Sequence, residues 1–180
     1  MVNVLPLAVG ESVTTMIDLE RVHEDVNLFM VTEFGVVKRT AIEEYRNIRR
    51  SGLNAINLDE GDRLISVNVT TGNQDIILIG TKLGIAIRFS EHDVRLMKRA
   101  AHGVRGIKLN AGDVVVGAGV LNTDESEAQV FTISEEGFGK RNDAEAYTLQ
   151  KRGGKGSKNF KITNKTGDVV SVEVVHNDDE

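Results

Sequence analysis

Residues 129–174 read QVFTISEEGFGKRNDAEAYTLQKRGGKGSKNFKITNKTGDVVSVEV, and the same plan occurs twice earlier, from Asn27 and from Asp75. Each copy has a turn glycine, an arginine four residues later, a second glycine after a basic loop, and then a Gly-Asp turn. In chain order the turn glycines are Gly35, Gly84 and Gly137, the arginines are Arg39, Arg88 and Arg141, and the second glycines are Gly52, Gly103 and Gly156. The period of about 50 residues is typical of proteins built from stacked structural repeats.

Each copy is expected to form four short strands, because its apolar stretches are brief, rich in Val, Ile, Leu and Phe, and bounded by turn residues. In the first copy the expected strands are residues 28–32, 36–40, 54–58 and 64–69. Such a unit is too small to bury its own apolar faces and must stack on its neighbours. The sequence therefore predicts an all-β, propeller-like array with little helix.

The copies also predict the organisation of the chain, which we interpret as a single domain. Residues 1–19 resemble the end of a preceding blade, and three blades follow over residues 20–73, 74–122 and 123–180. About three blades form an arc rather than a closed ring, so the sequence predicts a partial array from a longer protein.

The composition is that of a globular protein, with 40% hydrophobic and 27% charged residues among 180. The lack of cysteine excludes disulfides and thiolate chemistry. No apolar run approaches the roughly 20 residues that cross a bilayer, and the first residues do not have the pattern of a signal peptide. We therefore expect a cytoplasmic protein that does not associate with membranes.

Positive charge is concentrated in the repeated loops, although the formal net charge is −5. Eighteen of the 22 Lys and Arg residues lie in residues 38–50, 88–108 and 140–161, and these windows hold only six acids. The windows carry +12 and the rest of the chain −17. Because stacking would align the windows, they predict a basic stripe of the kind that binds nucleic acid phosphates. The alternative interpretation is that charged loops only keep the protein soluble.

The heptapeptide QKRGGKG, residues 150–156, concentrates charge and flexibility in one loop. Its glycines allow close approach of the backbone to an anion, and their N–H groups can donate to phosphate oxygens. Its three cations supply charge. A P-loop is excluded, because Lys155 is followed by Gly156 and position 149 is Leu.

No catalytic or metal-binding residue is predicted. The histidines are scattered without the spacing of metal ligands, and the acid pairs lie in predicted turns or loops, where solvated surface explains them. Tyr45 and Tyr147 occupy the same repeat position, which predicts packing beside the loop rather than chemistry.

The whole chain resembles the C-terminal domain of the DNA gyrase A subunit, part of a bacterial type IIA DNA topoisomerase. The resemblance is carried by the three basic segments GVVKRTAIEEYRNIRRSGLNAINLDEGDRLISV, DVRLMKRAAHGVRGIKL and GFGKRNDAEAYTLQKRGGKG. QKRGGKG fits the family's box, Q-(R/K)-R-G-G-(R/K)-G, at all seven positions. The resemblance implies a β-pinwheel, a propeller-like fold whose blades exchange strands, with double-stranded DNA wrapped around its basic rim.

The same resemblance implies the partners and chemistry. The chain would act with the remainder of the A subunit, and with the B subunit in an A2B2 holoenzyme of the bacterial cytoplasm, associated with the nucleoid. It would support ATP-dependent negative supercoiling without catalytic residues or a cofactor of its own, since ATP and Mg²⁺ belong to other parts of the holoenzyme. The residues expected to contact DNA are Lys38, Arg39, Arg49, Arg50, Arg88, Lys98, Arg99, Arg105, Lys140, Arg141, Gln150, Lys151, Arg152, Gly153, Gly154, Lys155, Gly156 and Lys158.

Two alternatives remain open from the sequence. The C-terminal domain of the topoisomerase IV A subunit is similar, but the intact QKRGGKG argues against it, because that domain usually carries a degraded box. A propeller-like protein-interaction module, from another functional class, predicts an acidic protein partner and little bending of DNA.

Overall fold

The computed structural model describes residues 7, 9–18, 25–47, 52–73, 75–121 and 128–176. Within these residues the chain forms eleven strands, three 3-10 turns and no α-helix, so the all-β prediction is confirmed. The 3-10 turns span Ile42–Tyr45, Glu91–Asp93 and Ala144–Ala146. The strands are β1 (Asn27–Thr32), β2 (Val36–Ala41), β3 (Leu64–Thr70), β4 (Ile76–Thr81), β5 (Ile85–Ser90), β6 (Val104–Arg105), β7 (Val115–Leu121), β8 (Gln129–Ser134), β9 (Gly139–Asp143), β10 (Ser157–Lys158) and β11 (Val169–Val175).

The strands form three antiparallel sheets, here called blades 1, 2 and 3. Blade 1 has the order β3-β1-β2-β6, blade 2 the order β10-β5-β4-β7, and blade 3 the order β11-β8-β9. The sequence of β6 belongs to the second copy and that of β10 to the third, so the second and third copies each give a strand to the blade before them. The propeller-like prediction, including strand exchange, is therefore confirmed.

One predicted strand is wrong. Residues 54–58 form no strand in the structure. In the later copies the corresponding segments begin at the last residues of β6 and β10, which pair with the preceding blade rather than with their own copy. A strand needs a partner for its backbone groups, and within the described residues no preceding sheet offers one to residues 54–58.

Each of the first two blades is buried on both faces, as the alternation of side chains along a strand allows. In β4, Ile77 and Ile79 pack toward Phe29 of blade 1, whereas Leu78 packs toward Val172 of blade 3. On the other face of blade 1, Leu28 and Met30 form a hydrophobic cluster with Ile42 and Tyr45, and Ile17 packs against this cluster. Residues 9–18 form no strand; the rest of the segment predicted to end a preceding blade lies partly outside the described residues.

Small residues let neighbouring blades approach closely. A Cβ added to Gly117 would collide with the backbone oxygen of Val172, and one added to Gly80 would collide with the Val172 side chain. These contacts lie where β11 crosses β7 and β4. Glycine at these strand positions is therefore a packing requirement.

The turn glycines join successive blades as well as closing hairpins. Gly35 and Gly84 have φ values of +78° and +77°, which favour glycine. The Gly84 carbonyl accepts hydrogen bonds from the backbone N–H groups of Asn159 and Phe160, at 2.8 and 3.0 Å. The Gly35 carbonyl accepts from Gly106 at 2.8 Å in the same way. Each turn thus holds the loop that follows the exchanged strand.

No helix of the described residues is long and apolar enough to span a membrane.

Candidate nucleic-acid interface

The three basic loops touch one another in chain order. We call residues 42–47 and 52–58 loop 1, residues 91–109 loop 2 and residues 144–161 loop 3. The Asn57 side chain of loop 1 donates to the carbonyl oxygen of Ala100 in loop 2, at 2.7 Å. Lys108 of loop 2 donates its backbone N–H to the Gly154 oxygen of loop 3 at 2.8 Å. The loops therefore form one continuous surface rather than three separate ones.

Each later loop is anchored to the arginine of the preceding blade through the backbone. Met97 donates its N–H to the Arg39 carbonyl oxygen, and Gln150 donates its N–H to that of Arg88, both at 2.8 Å. These bonds accompany isolated parallel bridges between Arg39 and Leu96 and between Arg88 and Leu149. The start of QKRGGKG is thus positioned by blade 2.

The glycines of QKRGGKG serve contacts between blades. Gly153 donates its N–H to the Gly106 oxygen at 2.6 Å, so that group is not available to a phosphate. A Cβ on Gly156 would lie 2.5 Å from the Ala86 oxygen, and the φ of Gly156 is +74°. A Cβ on Gly154 would lie 3.2 Å from the Gln150 side-chain oxygen. Gly156 is therefore required for the loop's packing, whereas the sequence had suggested that the glycines serve anion approach.

Two exposed lysines form equivalent ion pairs across the blades. Lys98 lies 2.7 Å from Glu44 and Lys151 lies 2.8 Å from Asp93, measured from nitrogen to carboxylate oxygen. The lysine side chains are 87% and 91% exposed, so water screens both pairs. The hydrogen bond between Lys98 and Glu44 lowers the pKa of the Glu44 carboxyl and raises the pKa of the lysine. Both lysines can exchange their acid for a phosphate at little cost.

Arg99 and Arg152 are half-buried and hold the loops to their neighbours. Arg152 donates from Nε to the Asp93 backbone oxygen at 2.7 Å and from a terminal nitrogen to the Arg105 oxygen at 3.1 Å. Arg99 makes the equivalent bond to the Asn54 oxygen at 3.2 Å. These guanidinium groups position the loops.

Lys38 requires a correction, because its side chain is buried with 0% exposure. Its ammonium donates to the backbone oxygens of Ala55 and Arg99, at 2.7 and 2.6 Å. Burial, together with the nearby Arg99 charge, lowers the pKa of Lys38 to about 8. Lys38 therefore joins loops 1 and 2 from inside the protein, and the prediction that it contacts DNA is wrong.

Other predicted cations next to the turns also bond within the protein. Arg39 forms an ion pair at 3.2 Å with Glu91, whose side chain is fully buried. Arg88 donates to the backbone oxygens of Ala144 and Tyr147, both at 3.2 Å. Lys140 donates to the Asn159 oxygen at 2.6 Å, in the place equivalent to Lys38. Arg141 is exposed and donates to the His176 oxygen at 2.8 Å.

The exposed cations of the three basic windows, some predicted to contact DNA and some not, define what we call the basic rim. Within the described residues its exposed members are Arg46, Arg95, Lys98, Arg105, Lys108, Arg141, Lys151, Lys155, Lys158 and Lys161. Gln150, which was also predicted to bind DNA, is half-buried. Arg49 and Arg50, also predicted to bind DNA, lie outside the described residues.

Sequence reasoning missed the acids that hold the rim. Asp93 accepts from the Lys151 ammonium, and at 3.3 Å from the Arg152 backbone N–H. Glu44 has the equivalent place beside Lys98. The sequence contained a signal for these acids, because Glu44 directly precedes Tyr45 and Asp93 directly precedes Val94 at the same position of the repeat.

Tyr45 and Tyr147 pack beside the loops, as predicted. Both are buried, and their hydroxyl groups donate to the Ala55 oxygen at 2.9 Å and to the Asn159 side chain at 2.6 Å. Burial raises the pKa of both phenols. Across the described part of the chain, no group of three His, Asp or Glu side chains is arranged to hold a metal ion.

DNA gyrase A subunits of several organisms are similar to this chain in sequence. The DNA gyrase A subunit of Haloquadratum walsbyi is 43% identical over 183 residues, which cover 99% of this chain and 21% of that protein. The DNA gyrase A subunit of Helicobacter pylori is 43% identical over 180 residues, covering 100% of this chain and 21% of that protein. The chain therefore spans about a fifth of the length of these relatives.

Two solved structures share the fold. The C-terminal domain of DNA topoisomerase IV superposes with a TM-score of 0.87 at 23% identity, covering 97% of this chain and 54% of that one; this likeness shows the fold alone. A DNA gyrase A C-terminal domain superposes with a TM-score of 0.82 at 26% identity, covering 98% of this chain and 58% of that one.

A family model matches the three sequence copies separately. The model of the DNA gyrase C-terminal domain, a β-propeller, matches residues 27–71, 75–122 and 128–176. These matches cover most of the chain and include all eleven strands of the described residues. The chain therefore belongs to the family of the DNA gyrase A C-terminal domain.

Proposed function

We propose that this chain binds double-stranded DNA along the basic rim and bends it, as the DNA-wrapping segment of a DNA gyrase A subunit. The observation that carries the proposal is the contact between successive basic loops, which places exposed cations of three repeats on one continuous surface. The net charge of −5 gives no indication of this basic surface, because most of the acids lie outside the loops.

The division of the cations into two groups supports binding to the DNA backbone. The buried and half-buried cations hold the loops in place, so the exposed ones are presented by an ordered surface. Lys98, Lys151 and Lys155 project from equivalent parts of loops 2 and 3 and meet phosphates as flexible point charges. Recognition of this kind carries little information on base sequence.

The mechanism we propose is positioning. Bending a site of 20–30 base pairs by 40–90° costs about 1–6 kcal/mol, and contacts with an arc of cations offset that cost. Wrapping would present a DNA crossing of fixed hand to the rest of the enzyme. The whole topoisomerase, in which the remainder of the A subunit works together with the B subunit, would convert that crossing into negative supercoils with ATP, in the cytoplasm beside the nucleoid.

A salt series tests the binding. Engagement of about six phosphates gives a slope near −5 in a plot of log affinity against log salt concentration, with little dependence on DNA sequence. Fluorescence anisotropy measures the affinity, and a ligation assay of short duplexes measures bending. A flat salt dependence contradicts the proposal; salt-dependent binding without bending favours a protein-interaction module that attracts DNA only through its charge.

Replacing two rim lysines tests the location of the site. The double variant Lys151→Ala, Lys155→Ala should weaken binding to every duplex and reduce the slope by about 1.8, or 0.9 for each lost contact. The matched control replaces Lys82 and Lys165, which lie outside the basic windows; Lys82 is paired with Asp168 at 3.2 Å, and Lys165 lies over the Phe138 ring at 5.3 Å. An equal loss in the control would mean that overall charge, rather than the rim, binds DNA.

A further inference from the structure

Two exposed leucines lie among the cations of the basic rim. Leu96 in loop 2 is 54% exposed and Leu149 in loop 3 is 55% exposed. Single exposed leucines are common on protein surfaces. These two differ because they recur at the same repeat position, each two residues before an exposed lysine, Lys98 or Lys151.

The backbone at both leucines is fixed. Each forms an isolated parallel bridge with the preceding blade, Leu96 with Arg39 and Leu149 with Arg88. The following residue in each case donates its N–H to that arginine's carbonyl oxygen at 2.8 Å. The backbone of both leucines is therefore fixed by hydrogen bonds to the preceding blade, and their side chains are exposed from that fixed backbone.

The surroundings of Leu96 have the shape of a ridge between two hollows. One cavity of about 340 Å³ is lined by Leu96 together with Arg95, Lys98 and His102, among others. A second cavity of about 200 Å³ is lined by Leu96 together with Ala41 and Glu44, among others. An apolar ridge beside a basic hollow matches the edge of a duplex groove, where sugars and base edges lie next to phosphates.

We propose that Leu96 and Leu149 enter the minor groove of the bound duplex as apolar wedges, one from loop 2 and one from loop 3, and fix where the DNA bends. This inference rests on the proposed function. Apolar side chains that insert between base steps partly unstack them and kink the duplex, and the additional protein surface that bent DNA reaches offsets the cost. Pyrimidine–purine steps such as TA unstack most readily. The two leucines therefore favour DNA with a flexible base step at two positions, whereas the lysines contact phosphates and give no preference for base sequence.

The test uses the 180-residue chain and duplexes in which a TA step next to the fluorescent base 2-aminopurine is moved along the site. With the native chain, fluorescence from unstacking should show two maxima along the duplex. Leu149→Ala should remove one maximum and Leu96→Ala the other, and each change should weaken binding about fivefold, because the exposed part of one leucine no longer becomes buried. The slope of the salt series should not change, since no cation is removed.

Controls separate a wedge from a structural role. Leu149→Met keeps an apolar side chain of similar size and should retain its maximum. Val170→Ala removes a residue that is 50% exposed but lies in β11, away from the rim, and should retain both maxima. Circular dichroism and the melting temperature verify that each variant is folded.

Two results overturn the inference. If the native chain binds with a steep salt dependence but gives no maximum, the DNA is held without wedges. If both maxima persist when the two leucines are replaced together by alanine, other residues cause the unstacking. Absence of salt-dependent binding in the anisotropy of the same duplexes is a different result, which overturns the proposed function and this inference with it.

Discussion

The buried ammonium of Lys38 predicts a rise in stability with pH that one substitution should abolish. The folded protein releases this proton near pH 8, whereas the unfolded chain holds it up to the ordinary pKa of 10.5. Between those two values the unfolded state binds more protons, so the free energy of unfolding increases with pH. The cause is the burial of a charge that water solvates better than the protein does.

The magnitude follows from the two pKa values. One pKa unit corresponds to about 1.4 kcal/mol, and most of the interval between the folded and unfolded values lies between about pH 7 and pH 10. Lys38 alone should therefore add about 2 kcal/mol to the free energy of unfolding over that range. Above pH 10 the sign reverses, because the pKa values of buried Tyr45 and Tyr147 are raised and the folded chain keeps protons that the unfolded chain releases.

Urea denaturation followed by circular dichroism measures this effect at several pH values for the native chain and for Lys38→Met. The difference in stability between the two proteins should change by about 2 kcal/mol in favour of the native chain as the pH rises toward 10. Lys98→Met, which removes a lysine with 87% exposure, is the matched control and should keep the native rise in stability between pH 7 and pH 10, because the pKa of Lys98 is raised rather than lowered. A constant difference for Lys38→Met over the whole range would refute the reasoning, because the proton would then be bound equally in both states.

Two further predictions concern the contacts between blades. Gly117→Ala places a Cβ against the backbone oxygen of Val172 and should destabilise the chain by about 2–4 kcal/mol in urea denaturation. The control Gly139→Ala, whose Cβ would meet a Phe131 ring atom at 3.2 Å, should cost far less; similar losses would contradict the close-packing argument. Arg39→Ala leaves the fully buried Glu91 carboxylate without its ion pair and should cost about 3 kcal/mol, most of which Glu91→Gln in the same chain should restore. Equal costs for the single and double variants would show that this carboxylate has other sufficient partners.

The architecture could be predicted because every copy repeats the same local signals. Gly35, Gly84 and Gly137 have positive φ values, as the turn pattern requires, and β1, β2 and β3 match their predicted ranges within one residue at each end. The pairing of β6 and β10 could not be derived from the same signals. A two-residue strand has no periodicity, and pattern alone gives no reason for Val104 to pair with the preceding blade rather than its own.

The location of the basic surface could be predicted, but the role of each cation could not. The basic windows can be located from repeat position alone, whereas the exposure of each cation depends on the face of the strand or loop from which its side chain projects. Lys38 and Lys98 are both lysines of the basic windows, yet Lys38 is buried in β2 and Lys98 is exposed in loop 2. A comparison of the copies held the missing signal, because the position of Lys38 is occupied in the second copy by Ile87, a core residue.

These two groups of cations depend on each other. The position of Lys151 in loop 3 depends on Asp93. The Asp93 carboxylate accepts hydrogen bonds from the Lys151 ammonium and from the Arg152 backbone N–H, and the Asp93 carbonyl oxygen accepts one from the Arg152 guanidinium. The bond from the Arg152 guanidinium to the Asp93 carbonyl is partly buried and does not involve the exposed lysine. The exposed pair of Lys151 with Asp93 is worth only about 0–1 kcal/mol, so a phosphate can take the lysine without loosening the loop. The buried contacts therefore set the position of the charge, and the exposed contact leaves it able to bind.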